Sequence, residues 1–401
     1  MGSQPSGSLS SLRELNRLRV LEAVRERRAV SRAEIARRTG LARSTVSSLV
    51  SELQRDGLVV ESEDGAASSH GGRPPVLLTL DPGAGAVLGV HLDHPLVRVA
   101  VADLDHTIRA EAARALDVDH DAAAGLDVAA ALVEEVLREA GVPRERILGA
   151  GAAIAGPVDH RTGRVGSSTI MPGWDGLDVV AELESRLGVP VHVDNDANLG
   201  ALAEWVLGAG RDASDFAYLM LSSGIGAGLI LGGRLYRGAT GTAGEIGHVL
   251  VDDQGPLCRC GNRGCLETYA GAHALIELLG RQHGALDVHA MVELARAGDP
   301  ACQRVVADAG RTVGVAVAAL CNQFNPERVV VGGELAATGD LLLAPLRDAV
   351  RRYALPSAAD ALSVVPGELG DRAELLGALV LVVGRSDRAF SGRVRAAVGG
   401  R

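Results

Sequence analysis

The densest chemistry in the chain lies between Gly244 and Glu267, GEIGHVLVDDQGPLCRCGNRGCLE. His248, Cys258, Cys260 and Cys265 fall there with the spacing H-x9-C-x-C-x4-C. Zinc takes imidazole and thiolate in a closed tetrahedron, and three Cys with one His is one of its structural sets. Gly261 and Gly264 allow the tight turn that lets the sulfurs converge. Three of the five cysteines lie within eight residues. That clustering fits a structural zinc site in a reducing compartment better than a disulfide framework. Glu245, His248 and Glu267 sit beside the same knot and can offer polar atoms to a ligand.

A second constellation is Asp194, Asn195, Asp196 and Asn198, the segment DNDAN after an apolar run. A sugar hydroxyl needs a carboxylate acceptor and an amide that both gives and takes a proton. The same residues also suit an Asx-rich turn that caps a helix, and both readings stand at this point. Two further stretches, residues 150–159 and PGWDG around Trp174, read as cleft walls; Trp174 serves equally as a ring-stacking face or as a core side chain. Cys302 and Cys321 lie on apolar helical stretches and read as core thiols. His91 and His94 read as a strand-end pair.

These groups need a scaffold. At 401 residues the chain should hold two or three domains. It is 47% apolar but only 2% aromatic, so Leu, Val and Ala must fill the cores. All 40 basic residues are Arg, the better bidentate partner for phosphates and guanine edges. The sequence has no apolar run near 18 residues and no signal-peptide core at its start, so the expectation is a soluble, cytoplasmic protein with no membrane partner. Charge is uneven. Residues 1–60 hold 11 Arg against six acids, net +5, so 61–401 carries −15 of the overall −10. A basic head on an acidic body suggests that only the head approaches a polyanion.

In the head, residues 1–10 are Gly/Ser-rich and read as disordered. Leu15, Leu18, Val20, Leu21 and Val24 recur at helical spacing and predict a first helix over 12–24. Ser31 with Glu34 forms a capping box that opens a second helix, and Gly40 ends it. A third helix spans 43–56 with Val46, Leu49, Val50 and Leu53 inward, entered at Ala42 without a side-chain cap. Helix, Gly turn, helix is the helix-turn-helix pattern. Strands at 58–61 and 76–80 around GAASSHGGRPP add a wing. Arg43, Ser44, Thr45, Ser47 and Ser48 form the polar outer row of the third helix and can meet base edges and phosphates. Arg73 at the wing tip can enter a minor groove. From Asp81 onward, strands and helices alternate with Gly-rich turns at strand ends, which argues α/β. Helices are expected over 125–140, 181–187 and 372–385.

The head segments SRAEIARRTGLARSTVSSLVSELQRDGLV and GGRPP resemble the winged helix-turn-helix of ROK-family regulators. DNDAN, LSSGIGAGLILGGRLYRGATGTAGEIGH, the C-x-C-x4-C knot and VVVGGELA follow in that family's order, so the resemblance covers about residues 12–384. It implies a two-lobed actin-like sugar-kinase body. It also implies that Asn195, Asp196, Glu245, His248 and Glu267 contact sugar, with Asp196 matching the base of the kinases and His248 serving both zinc and sugar. Kinases of the family carry an early DxGxTK segment for magnesium and phosphate. The matching residues here are His91, Asp93 and Pro95, and all three oppose phosphate binding, so no catalytic role is expected. The resulting expectation is a winged helix-turn-helix at 11–80, a first lobe at 81–194 plus 372–401, and a second lobe with the zinc site at 195–371. Its function would be that of a sugar-responsive repressor of carbohydrate genes, binding operator DNA and a sugar effector as a homodimer or homotetramer. The alternative is an active ATP-dependent sugar kinase with a vestigial head.

Overall fold

A computed structural model describes residues 13, 16–17, 19–21, 23–24, 29–62, 76–81, 83–159, 161–165 and 170–384. The expected disordered start, Arg73 with the wing tip, and the segment after Gly384 lie outside these residues.

The head forms as its local signals require. Described residues between 13 and 24 are helical, with Val20, Leu21 and Val24 buried. Ser31 Oγ accepts a hydrogen bond from the Glu34 amide at 3.2 Å, opening the helix Arg32–Thr39. Gly40 ends it at φ 69°, left-handed backbone that glycine adopts at no steric cost. The next helix, Arg43–Arg55, buries Val46, Leu49, Val50 and Leu53. A small antiparallel sheet follows: β2 (Val59–Ser62) pairs with β3 (Leu77–Leu80), and β3 also pairs with β1 (Val30–Ser31). The two-residue β1 is too short to leave a period-2 signal in the sequence, and pairing with β3 alone defines it.

Two five-stranded sheets form the body. The first runs β10-β7-β4-β5-β6. Its strands are β4 (Ala86–Asp93), β5 (Leu96–Asp103), β6 (Ile108–Ala115), β7 (Ile147–Ile154) and β10 (Val191–Asn195). A short β8–β9 hairpin (Val158–Asp159, Arg164–Val165) lies beside it. The second sheet runs β13-β12-β11-β14-β15. It holds β11 (Phe216–Leu221), β12 (Ile225–Ile230), β13 (Leu235–Tyr236), β14 (Arg328–Gly332) and β15 (Ser363–Pro366). Each sheet is an antiparallel three-strand meander extended by two parallel strands, so one topology occurs twice. β6, β1 and β13 had no counterpart in the sequence reading; the polar alternation of β6, half-exposed along its length, masks it as loop.

Alternation along β4 sorts its two faces. Leu88, Val90 and Leu92 pack in one cluster with Leu126, Val133 and Leu183 from the helices Ala122–Ala140 and Val179–Leu187. Val87 points the other way, into a cluster with Leu375, Leu379, Val382 and Val383 of the helix 373–384. That cluster also contains Val20, Val24, Val50, Leu58 and Leu80. Head and first lobe therefore share one hydrophobic core. The helix can lie this close because β7 offers Gly151: a Cβ there would stand 2.0 Å from the Ala378 carbonyl. In the second lobe the long helix Pro300–Phe324 and the helix Asp340–Tyr353 cover the sheet. Pro300–Phe324 is the one described helix whose length and composition would suit a membrane, and half of its most apolar window is buried as core.

Candidate functional site

The two sheets meet at a cleft. Strand ends and turns supply its walls, as expected for a ligand site between repeated α/β halves. β4 ends on Asp93, and β10 ends on Asn195 with Asp196 opening the helix Asp196–Leu207. Glu245 precedes the short turn Ile246–His248, and Glu267 begins the helix Glu267–Ala270. The structure brings all five expected sugar-contact residues, Asn195, Asp196, Glu245, His248 and Glu267, onto this one lining, with Asp93 and Arg259 among their neighbours.

Asn195 combines the two readings that the sequence left open. Its Oδ1 accepts from the Asn198 amide at 3.2 Å, so it does cap the helix. Its Nδ2 donates to Gly156 O at 3.0 Å and to Asp196 Oδ1 at 2.9 Å, so it also orients Asp196. The Ala197 amide donates to the same Asp196 oxygen at 2.7 Å. Oδ1 is therefore engaged, and the second oxygen is left to meet a ligand. Burial, then the charges of Asp93 and Glu374, push the Asp196 carboxyl well above the usual range. Asp194 has a different task. Its Oδ2 accepts from Arg237 at 2.6 Å and its Oδ1 from Asn198 Nδ2 at 3.0 Å, with only 2% of its side chain exposed. It is a buried ion-pair partner that fixes the turn and does not line the cleft. Trp174 is likewise no cleft wall: it is fully buried, and its Nε1 donates to Val118 O at 2.7 Å. Val118 lies 56 residues away, which is why sequence could not separate the two roles.

His248, Cys258, Cys260 and Cys265 place their ligand atoms within 4.8 Å of one another. Cys258 Sγ is 3.7 Å from His248 Nδ1, and Cys260 Sγ is 3.7 Å from Cys265 Sγ. Zinc–sulfur bonds of about 2.3 Å imply a tetrahedral edge of roughly 3.8 Å, so the donor set fits zinc in both chemistry and spacing. His248 Nδ1 faces the sulfurs, while Nε2 lies 3.8 Å from Glu245 Oε2. Nδ1 also lies 3.7 Å from Glu267 Oε1, so the cysteine knot and the cleft meet at this imidazole. Burial, then Glu267, push Glu245 up to about 7. A second group, His283, Asp299 and Cys302, also gathers. There Asp299 Oδ1 already caps the helix Pro300–Phe324 through the Cys302 amide at 2.8 Å.

Several residues around the cleft gave no signal as site residues. Arg259, between two cysteines, lies 3.5 Å from Glu267 and 3.4 Å from His94 of the opposite lobe. Glu374, on the helix 373–384, is 5% exposed and accepts from the Tyr218 hydroxyl at 2.8 Å across 156 residues. Burial is the main cause that raises it to about 7. A carboxyl raised on folding stabilises the fold below its unfolded value near 4.5, and that contribution is lost as pH rises to and through about 7. Glu374→Gln should therefore gain stability over the parent at pH 8 but not at pH 4, by roughly 3 kcal/mol. Thermal melts across that range check it.

In the head, Arg43, Ser44, Ser47 and Ser48 are exposed and Thr45 is half-buried, opposite the apolar stripe of their helix. The helix starts at Ala42 with no side-chain cap, which leaves its first amides free for an anion.

Comparison with known proteins agrees with this architecture. The ROK family model matches residues 87–385, and the IclR helix-turn-helix domain model matches residues 16–63. The xylose repressor of Caldicellulosiruptor bescii is 30% identical over 393 residues, covering 94% of this chain and 97% of that protein. Among solved structures, a ROK family transcriptional regulator homologous to the E. coli Mlc protein superposes with TM-score 0.79 at 26% identity, over 96% of this chain and 99% of that one. A ROK glucokinase from Streptomyces griseus, in complex with glucose and AMPPNP, superposes at TM-score 0.67 and 30% identity over 74% of this chain and 99% of its own.

Proposed function

The chain belongs to the ROK family, and from that membership we propose that it is a sugar-responsive DNA-binding transcriptional repressor whose kinase-like body serves as the sensor. The observation that carries this is a single helix. Glu374 of 373–384 meets Tyr218 of the second lobe behind the cleft, while Leu375, Leu379, Val382 and Val383 of the same helix sit in the core that the head shares with the first lobe. Ligand closure that moves the lobes must move this helix, and with it the head.

Asn195, Asp196, Glu245, His248 and Glu267 would hold the sugar. His248, Cys258, Cys260 and Cys265 would hold a structural zinc that fixes the imidazole for the ligand, the role of an outer-shell support. Arg43, Ser44, Thr45, Ser47 and Ser48, with Arg73, would contact operator DNA. Palindromic operators call for a homodimer or homotetramer, and the work belongs to the cytoplasm. A gel shift on the upstream DNA of its own gene, with and without pentoses and hexoses, tests the reading. No DNA binding at low salt sinks it. Arg43→Ala should weaken operator binding by about 1–3 kcal/mol if the guanidinium reads a base; an unchanged affinity removes it from the interface.

The likeness to the Streptomyces griseus glucokinase favours one other reading, a working sugar kinase. Against it, the resemblance aligns His91, Asp93 and Pro95 with the Asp, Gly and Thr that the kinases use for magnesium and phosphate. His91 is buried, its Nε2 without a hydrogen-bond partner. Assay of ADP release over a sugar panel decides: turnover of about 1 s⁻¹ or more would make the chain an enzyme.

A further inference from the structure

We propose that Asp93 determines specificity in the effector cleft and restricts the effector to an unphosphorylated monosaccharide. This deepens the sugar-sensor reading and rests on it.

Asp93 closes β4 and lines the cleft together with Asn195, Asp196 and Glu245. Its Oδ1 accepts from the His94 amide at 2.8 Å, and among the described residues no cation pairs with it. The cleft's cationic groups are committed elsewhere. Arg259 lies 3.5 Å from Glu267, and His94 Nδ1 lies 2.5 Å from Asp119 Oδ1. The balance on the lining is four carboxyl groups, Asp93, Asp196, Glu245 and Glu267, against the single guanidinium of Arg259.

Asp93, with which no cation among the described residues pairs, lets that lining select by charge. A hydroxyl donates well to a carboxylate. A phosphate monoester brings about two negative charges and only acceptors. The sugar hydroxyl that meets Asp196 is the one a kinase would esterify, and an ester there would press its oxygens on Asp93. Burial is the main cause that raises the carboxyls of Asp196, Glu334 and Glu374, and the nearby Asp93 adds to it in each.

The test uses the full chain and matched pairs: glucose and glucose 6-phosphate, xylose and xylose 5-phosphate, N-acetylglucosamine and its 6-phosphate. Thermal shift screens them, and calorimetry gives affinities for the parent, Asp93→Asn and Asp93→Gly. The expected result is a free sugar that binds at least tenfold more tightly than its ester. In Asp93→Asn, an isostere that keeps the turn even where the Gly variant fails to fold, that ratio should fall at least tenfold. Equal or tighter binding of an ester to the parent overturns the proposal and makes Arg259 a phosphate anchor. An unchanged ratio in Asp93→Asn overturns it too. Binding of neither member of any pair instead overturns the reading of the cleft as a sugar site.

Discussion

Cys260→Ser should empty the metal site and take effector binding with it. Structural zinc contributes about 10–16 kcal/mol in zinc-finger peptides, which have little else to fold on. Here the loop hangs on a large body, since Leu266 and Ala270 just after it are buried in the second-lobe core. The loss should therefore be smaller, roughly 3–5 kcal/mol, comparable to stripping one partner from a buried charged group. The melting temperature should fall by on the order of 10 °C. The physical reason is in the four donors. With Cys260 replaced and no cation bound, burial is the main cause that pushes the Cys258 and Cys265 thiols up and favours their neutral forms. Without metal bonds, His248, whose Nε2 faces Glu245 on the cleft, is no longer fixed. Metal analysis should find zinc per chain dropping towards zero, and calorimetry should find sugar affinity lost in parallel. Full zinc occupancy with an unchanged melting point would contradict the ligand assignment.

Asp196→Asn should abolish the response to sugar while leaving the protein folded. Replacing the free carboxyl oxygen by an NH2 group leaves the sugar hydroxyl without its acceptor, which costs about 1–3 kcal/mol, so sugar affinity should fall by roughly 5- to 150-fold. The stability cost should be small, because burial already holds Asp196 well above the usual range and so favours a neutral group there. An amide oxygen can still accept from the Ala197 amide that Asp196 now engages at 2.7 Å. Two residues earlier the same change should do the opposite. Asp194→Asn leaves Arg237 without its carboxylate in a site where the Asp194 side chain is 2% exposed. Losing one partner of such a pair costs about 3–5 kcal/mol, so this variant should fail by unfolding. Melting curves and calorimetry on the two variants separate the roles; equal melting losses would show that Asp196 is also a structural residue.

The contrast between Asp194 and Asp196 shows what could be read from the chain alone. DNDAN was legible as a unit because its residues are adjacent. The resemblance singled out Asp196 as the sugar carboxylate; that Asp194 is tied to Arg237 was not legible, because Arg237 sits 43 residues away. Asn195 illustrates a different limit. The two ends of one amide do separate work: Oδ1 caps the helix while Nδ2 holds Asp196. Asp93 was legible as a substitution in a phosphate segment. Its place among Asp196, Glu245 and Glu267 follows only from the meeting of two sheets.

What the sequence determined by itself is what short-range physics sets. The Ser31 cap, the Gly40 stop, the apolar stripe of Arg43–Arg55 and the convergence of His248 with three cysteines each depend on residues a turn or a loop apart. Only the tertiary structure decided the long-range pairs. Those are the burial of Trp174 under Val118, the contact of Glu374 with Tyr218, the Arg259 bridge to His94, and the sharing of one core by the head and the helix 373–384. Side-chain type and spacing limit what a segment can form locally. They carry no record of which distant segment will exclude water from it, and in this chain that exclusion separates the Asp paired with Arg237 from the Asp that lines the cleft.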